Sequence, residues 1–200
     1  MAFTLQQMAE RIAEAEGRPD QAALWQKVRG LHQRGLLTPT DNAGPKGAFR
    51  FDFYELCLAR ILISALELQI ESSELGHLVS VLRTGRNDSF GEISLKRVLD
   101  ETQPATVRRR SGHLGEMRSG QIEYDGPLWV IEISRSKDPA TWAPQTSFTL
   151  LQSVNGLLQR PSIYPDPMRL DVLAGGIAII ESVAYLKVTA VLLPLIATQD

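Results

Sequence analysis

Between Gln26 and Arg50 the cations are Lys27, Arg29, Arg34, Lys46 and Arg50, and the only acid is Asp41. The whole chain carries a formal net charge of -2, so this positive charge is local. Guanidinium and ammonium groups gathered on a short stretch match the phosphates of a nucleic acid, and an amide such as Gln26 can read base edges beside them. The candidate DNA-binding set is therefore Gln26, Lys27, Arg29, Arg34, Lys46 and Arg50.

Other reactive residues combine less well. Ser111, Gly112 and His113 lie near Glu116, Glu123 and Asp125, but no nucleophile elbow, phosphate loop or metal motif surrounds them. His32, His77 and His113 are scattered, with no pair at metal-ligand spacing. Cys57, the single cysteine, excludes an internal disulfide framework and reads as a buried structural thiol. Glu132 and Glu181 fall in strand-like runs whose alternation assigns them to the solvent face. The chain is accordingly expected not to be an enzyme and to need neither metal nor cofactor. The Arg108-Arg109-Arg110 run reads as an exposed loop or as a second phosphate contact.

The local sequence predicts the elements that hold these groups. Thr4 begins a helix over residues 4–16 with Gln7 completing a capping box; Leu5, Met8, Ile12 and Ala15 form its apolar stripe. Asp20 is expected to cap a second helix, where Leu24, Val28 and Leu31 turn inward and Gly35 ends the run. Trp25 then reads as a partly buried packing residue and His32 as a surface or hinge residue. The Gly- and Pro-rich turn from Thr38 to Gly47 leads into Ala48-Phe49-Arg50-Phe51, a strand with both phenylalanines on one face and Arg50 on the other. Helices from Phe53 to Leu68 and from Glu74 to Leu82 follow, the first apolar on more than one side and the second capped by the Glu71–Glu74 segment.

The second half has a different texture. Residues 93–102 suggest a short helix and Pro104 to Gly120 a loop. Gln121 to Tyr124, Leu128 to Ser134, Ser147 to Ser153 and Ile177 to Val183 read as strands. Ala184 to Ile196 fits helix or strand, and any helix there should end near Pro194. The expected class is α+β, with a helical domain at 1–83 and an α+β domain at 84–200.

A hydrophobic fraction of 44% with 22% charged residues is that of an ordinary globular chain, which argues against dominant disorder. Glu10 and Glu14 sit where an export signal needs a cationic flank and an apolar core, so a cytoplasmic protein is expected. Val172 to Ala197 is interrupted by Glu181 and Lys187 and is too short after Lys187 for the roughly 20 residues of a membrane span. No membrane partner is expected.

The residues Arg29, Arg34-Gly35-Leu36-Leu37-Thr38-Pro39, Gly47-Ala48-Phe49-Arg50-Phe51, Tyr54-Glu55-Leu56 and Ala59-Arg60-Ile61-Leu62 occur in a familiar order. With Leu66 to Ile70 and Ser72 to Leu75, this pattern resembles the DNA-binding domain of MerR-family regulators, a winged helix-turn-helix, over residues 1 to about 83. The resemblance implies a recognition helix and basic wing on double-stranded DNA, hence a sequence-specific transcriptional regulator acting as a homodimer. A small-molecule or protein effector stays open as a partner. The chain departs from the family pattern in three ways: Ala13 to Ala23 lengthens the first connection, Gly30-Leu31 replaces paired tyrosines, and no long coiled-coil helix follows Leu82. Small terminase subunits and excisionase-like phage proteins resemble the same domain, so a DNA-holding assembly or packaging component is the alternative.

Overall fold

The computed structural model describes residues 2–41, 48–88, 91–102, 107–109, 122–124, 126–137, 141, 143–154, 157–159 and 179–197. Helices α1 (Leu5–Glu16), α2 (Gln21–Gln33), α3 (Phe53–Glu67) and α4 (Leu75–Thr84) are followed by the short antiparallel pair β1 (Arg86–Asp88) and β2 (Gly91–Ile93). Then come α5 (Leu95–Glu101), a second antiparallel pair β3 (Val107–Arg109) and β4 (Ile122–Tyr124), β5 (Leu128–Lys137), β6 (Pro144–Val154), β7 (Leu157–Gln159), β8 (Ile179–Leu186) and α6 (Val188–Ile196). The class is α+β. The main sheet is antiparallel with strand order β7-β6-β5-β8.

Thr4 starts α1 as expected: its hydroxyl accepts from the Gln7 backbone N–H, and the Gln7 side chain accepts from the Thr4 N–H. Both bonds satisfy amides that the first turn leaves free. Met8 and Ile12 of α1 and Leu24, Val28 and Leu31 of α2 are all buried. Each such side chain contributes about 1.5–3 kcal/mol by leaving water. Gly35, at φ 70°, ends α2, donating its N–H to the His32 carbonyl while Leu36 donates to Leu31. A left-handed residue at this point costs glycine nothing.

Helix α3 is the central rod. Eleven consecutive residues from Glu55 to Ala65 are buried, so it is covered all round, as its broad apolar surface predicts. The Asp52 carboxylate caps it at the Glu55 N–H, 2.9 Å away. Helices α2, α4, α5 and α6 all lie against α3, and α6 also touches α1. Trp129, Ile131 and Ile133 of β5 join Phe148 and Leu150 of β6 and Leu186 of β8 in the same apolar cluster as the helices. A boundary drawn at residue 83 falls within the last turn of α4, and the buried cluster runs across it. A polar tie crosses the same boundary, Arg135 donating to the Gln69 carbonyl at 3.1 Å, while within the second half the Trp129 backbone N–H donates to the Thr189 hydroxyl of α6 at 2.7 Å.

Several local expectations need correction. Asp20 precedes α2 but makes no side-chain cap, because Arg18 holds both of its carboxylate oxygens at 2.9 and 2.8 Å. Glu74 precedes α4 without capping its amides; its carboxylate instead accepts from the Glu71 N–H. Within the stretch read as a loop, Val107–Arg109 is a strand paired with Ile122–Tyr124. Glu132 is 9% exposed, not on an open solvent face: alternation sets the side of the sheet and says nothing of what covers that side. The ambiguous stretch from Ala184 divides, finishing β8 and then forming α6, which ends near Pro194 as expected, two residues past it. The side chains of Arg108 and Glu181 and the residues Lys46, Arg110, Ser111 and His113 lie outside the described residues.

Candidate nucleic-acid interface

The outer face of α2 is set by what its inner face buries. With Leu24, Val28 and Leu31 inward, Gln26, Arg29 and Gln33 recur at i, i+3 and i+7 on the opposite side, and all three are exposed. Gln33 thus belongs with Gln26 and Arg29, although the candidate set omits it. Its sequence signal was the seven-residue spacing from Gln26.

Trp25 stands one turn before Arg29. The Arg29 guanidinium lies 5.3 Å from the indole centroid, and Trp25 packs on the buried cluster as a partly buried residue. A cation over an indole face is attracted by its quadrupole and loses rotamer freedom before any partner arrives. Gly30 sits on the same helix, and a Cβ added there would meet nothing within 4 Å. The fold therefore does not require glycine at this position.

Lys27 points elsewhere. It lies about a third of a turn away from the Gln26 and Arg29 stripe, and its ammonium is 3.1 Å from Glu67 at the end of α3. Arg18 donates to the same Glu67 oxygen at 2.8 Å, and Arg60, 8% exposed, bonds Glu16, approaches Glu67 at 3.6 Å and donates to the Ser64 hydroxyl at 2.6 Å. Three cations and the acids Glu16, Asp20 and Glu67 thereby join the long connection between α1 and α2 to α3. Burial alone would raise the Glu67 pKa; hydrogen bonds and charge from Arg18 and Lys27 outweigh it and hold the carboxyl below its ordinary value. Arg18's hydrogen bonds hold Asp20 down at about 2.

Arg34 caps the C-terminal end of α2, where a cation faces the negative end of the helix dipole. The segment at 48–51 returns beside it. Arg50 and Asp41 form an antiparallel bridge, with Arg50 N–H to Asp41 O at 2.9 Å, and Phe51 bridges Phe3. The His32 ring contacts both phenylalanines, with centroids 4.7 Å from Phe49 and 5.3 Å from Phe51. Phe51 is fully buried and Phe49 remains 41% exposed, so His32 is the hinge between this segment and α2. Arg34 and Arg50 are exposed, and neither forms an ion pair among the described residues.

The turn into this segment is clamped from below. Glu55 accepts from the Thr38 N–H at 2.9 Å, and Arg83 pairs with Glu55 at 2.9 Å while donating to the Thr38 hydroxyl at 2.8 Å and the Leu36 carbonyl at 3.3 Å. Burial raises the Glu55 pKa, and the Thr38 bond and Arg83 charge oppose that rise. The Tyr54 hydroxyl donates to the Leu82 carbonyl, and burial pushes its pKa up to about 12.

The structure therefore groups Gln26 and Arg29 on one stripe, sets Arg34 at its end, and holds Arg50 on an adjacent segment. It turns Lys27 toward α3. Cys57 is fully buried, and burial pushes its thiol up, which suits a structural residue. Among the described residues, no group of three or more His, Cys, Asp or Glu side chains is arranged to hold a metal, and no helix is long and apolar enough to cross a membrane. Compared with protein-family models, curated proteins and solved structures, the chain matches no family, no curated protein and no solved structure.

Proposed function

We propose that this chain is a sequence-specific DNA-binding regulator whose recognition element is α2 and whose basic wing is the 40–51 segment. The observation that carries the reading is the exposed Gln26, Arg29 and Gln33 stripe directly opposite a buried apolar one, next to Arg34 and Arg50, which form no ion pair among the described residues. In this reading α2 enters the major groove. Arg29, Arg34 and Arg50 neutralise phosphates, and the amides of Gln26 and Gln33 meet base edges, where an amide suits adenine N6 and N7. Lys27 contributes less than a free lysine because Glu67 already shares its charge. The order of residues from Arg29 to Leu75, which resembles the MerR-type winged helix, supports the same assignment.

Selection of bound duplexes from a random-sequence pool tests specificity. The expected result is an enriched motif with its half-sites in inverted repeat, lost on Gln26→Ala; recovery of duplexes with no shared motif would contradict a regulator. Mass measurement of the free chain in solution accompanies it. A dimer fits regulation, whereas a ring of many subunits without sequence preference fits the packaging alternative.

A further inference from the structure

Strand β8 is one edge of the main sheet, paired only with β5 among the described residues, and the strand at the other edge, β7, is three residues long. An edge strand presents N–H and C=O groups without a ladder partner, and proteins blunt such edges with lysine, proline or a covering segment. The β8 sequence, IIESVAYL, contains no Lys, Arg or Pro, and Ser182, Val183, Ala184 and Tyr185 are all exposed. Successive side chains of a strand point to opposite faces, so four exposed residues in a row leave this part of β8 open on both faces. Val183 and Tyr185 share one face, and they are 38% and 44% exposed although both are large and apolar.

The order of residues along β8 suits a second copy of itself. Relative to β5 the strand carries one extra residue, Glu181, between Ile180 and Ser182, and after Leu186 it gives way to the exposed Lys187 ahead of α6. The regular run between these two charged positions is Ser182 to Leu186, and Ala184 is its midpoint. With two copies turned antiparallel about a two-fold axis at Ala184, Val183 of one copy stands opposite Tyr185 of the other. Aromatic and β-branched residues in that relation stabilise antiparallel ladders. The flanking positions match as well: Glu181 of each copy comes opposite Lys187 of the other, acid to base at both ends. A centre moved to Val183 or to Tyr185 loses both matches, so the charges and the apolar pair select the same register.

We infer that β8 is a self-association edge, at which two copies of this chain pair antiparallel about Ala184 and join their four-stranded sheets into one. Such a contact uses the same patch on both copies and closes after two, leaving only the short β7 at each outer edge. It is separate from the α2 surface and does not depend on the DNA reading, because it forms without nucleic acid.

Sedimentation equilibrium of the full chain in the absence of DNA tests it, and the expected mass is twice the 22.2 kDa of one chain. Val183→Lys, a cation placed at an exposed edge position, is expected to weaken the dimer about tenfold or more, because symmetry removes two cross-strand pairs at once. Should that variant fail to fold, Tyr185→Lys decides in its stead. The charges test the register. Lys187→Glu and Glu181→Lys are each expected to weaken association, and the double exchange Glu181→Lys with Lys187→Glu to restore it, a recovery that a dimer built on another surface does not give. A dimer indifferent to the lysine variants, or a double exchange without recovery, would overturn the assignment. A chain that stays monomeric would overturn it too, and slow hydrogen exchange of the β8 amides in that monomer would identify another stretch of the same chain as the occupant of the edge.

Discussion

Glu55 on α3 and Arg83 on α4 lie 2.9 Å apart, and both also hold the chain where it leaves α2. Glu55 takes the Thr38 N–H, while Arg83 takes the Thr38 hydroxyl and the Leu36 carbonyl. A single ion pair thus fixes the angle at which the 38–51 segment departs from α2. Arg83→Ala leaves Glu55, with a side chain 6% exposed, short of its counterion. The expected loss is about 3 kcal/mol, the lower end for a buried pair stripped of one partner, because Arg83 is itself partly solvated. Urea unfolding measures it. Glu55→Gln should cost less than Arg83→Ala, since the amide oxygen still accepts from Thr38.

Gly30 gives a prediction of opposite sign. It lies inside α2 with open space where a Cβ would go. Gly30→Ala is expected to stabilise the chain by up to about 1 kcal/mol, the helix-propensity difference between the two residues. Chemical denaturation checks it. If DNA backbone approaches α2 closely at this point, the same variant binds DNA more weakly despite being more stable, and only an external partner separates the two effects in that way.

The acid limb of stability should carry the mark of the connection between α1 and α2. Asp20, held at about 2 by Arg18, and Glu67, held low by Arg18 and Lys27 against its burial, both have folded values below their unfolded ones. Their contribution is complete above the unfolded carboxylate range and is lost as pH falls through the folded values. For Asp20 the window runs from about pH 4 down to about 2. Carbon-detected titration of the Asp20 carboxyl should show a midpoint near 2 in the native chain and an ordinary one in Arg18→Ala.

The helices and their inward faces were readable because the information is local. Thr4 with Gln7, the Leu24, Val28 and Leu31 stripe, and Gly35 act within a few residues of themselves. What escaped depends on partners far along the chain. Glu67 stands 49 residues from Arg18 and 40 from Lys27, so the turning of Lys27 toward α3 leaves no trace in local spacing; the loss of Asp20 as a cap, by contrast, comes from Arg18 two residues away. Glu55 and Arg83 are likewise joined only by folding. Among the candidate contacts, Gln26, Arg29, Arg34 and Arg50 are exposed. Glu132 shows the limit of that periodicity, which orders a strand's two sides without counting the layers beyond them.

Salt dependence of binding to a random-sequence duplex, followed by fluorescence anisotropy, examines DNA recognition most directly. Phosphate neutralisation predicts tight binding at low salt and a linear fall of log affinity with log salt concentration. Arg29→Ala and Arg50→Ala should each reduce the slope by about 1, and Lys27→Ala should reduce it by less. Absence of binding by the wild-type chain at low salt, or a slope untouched by both arginine variants, would contradict the proposed interface.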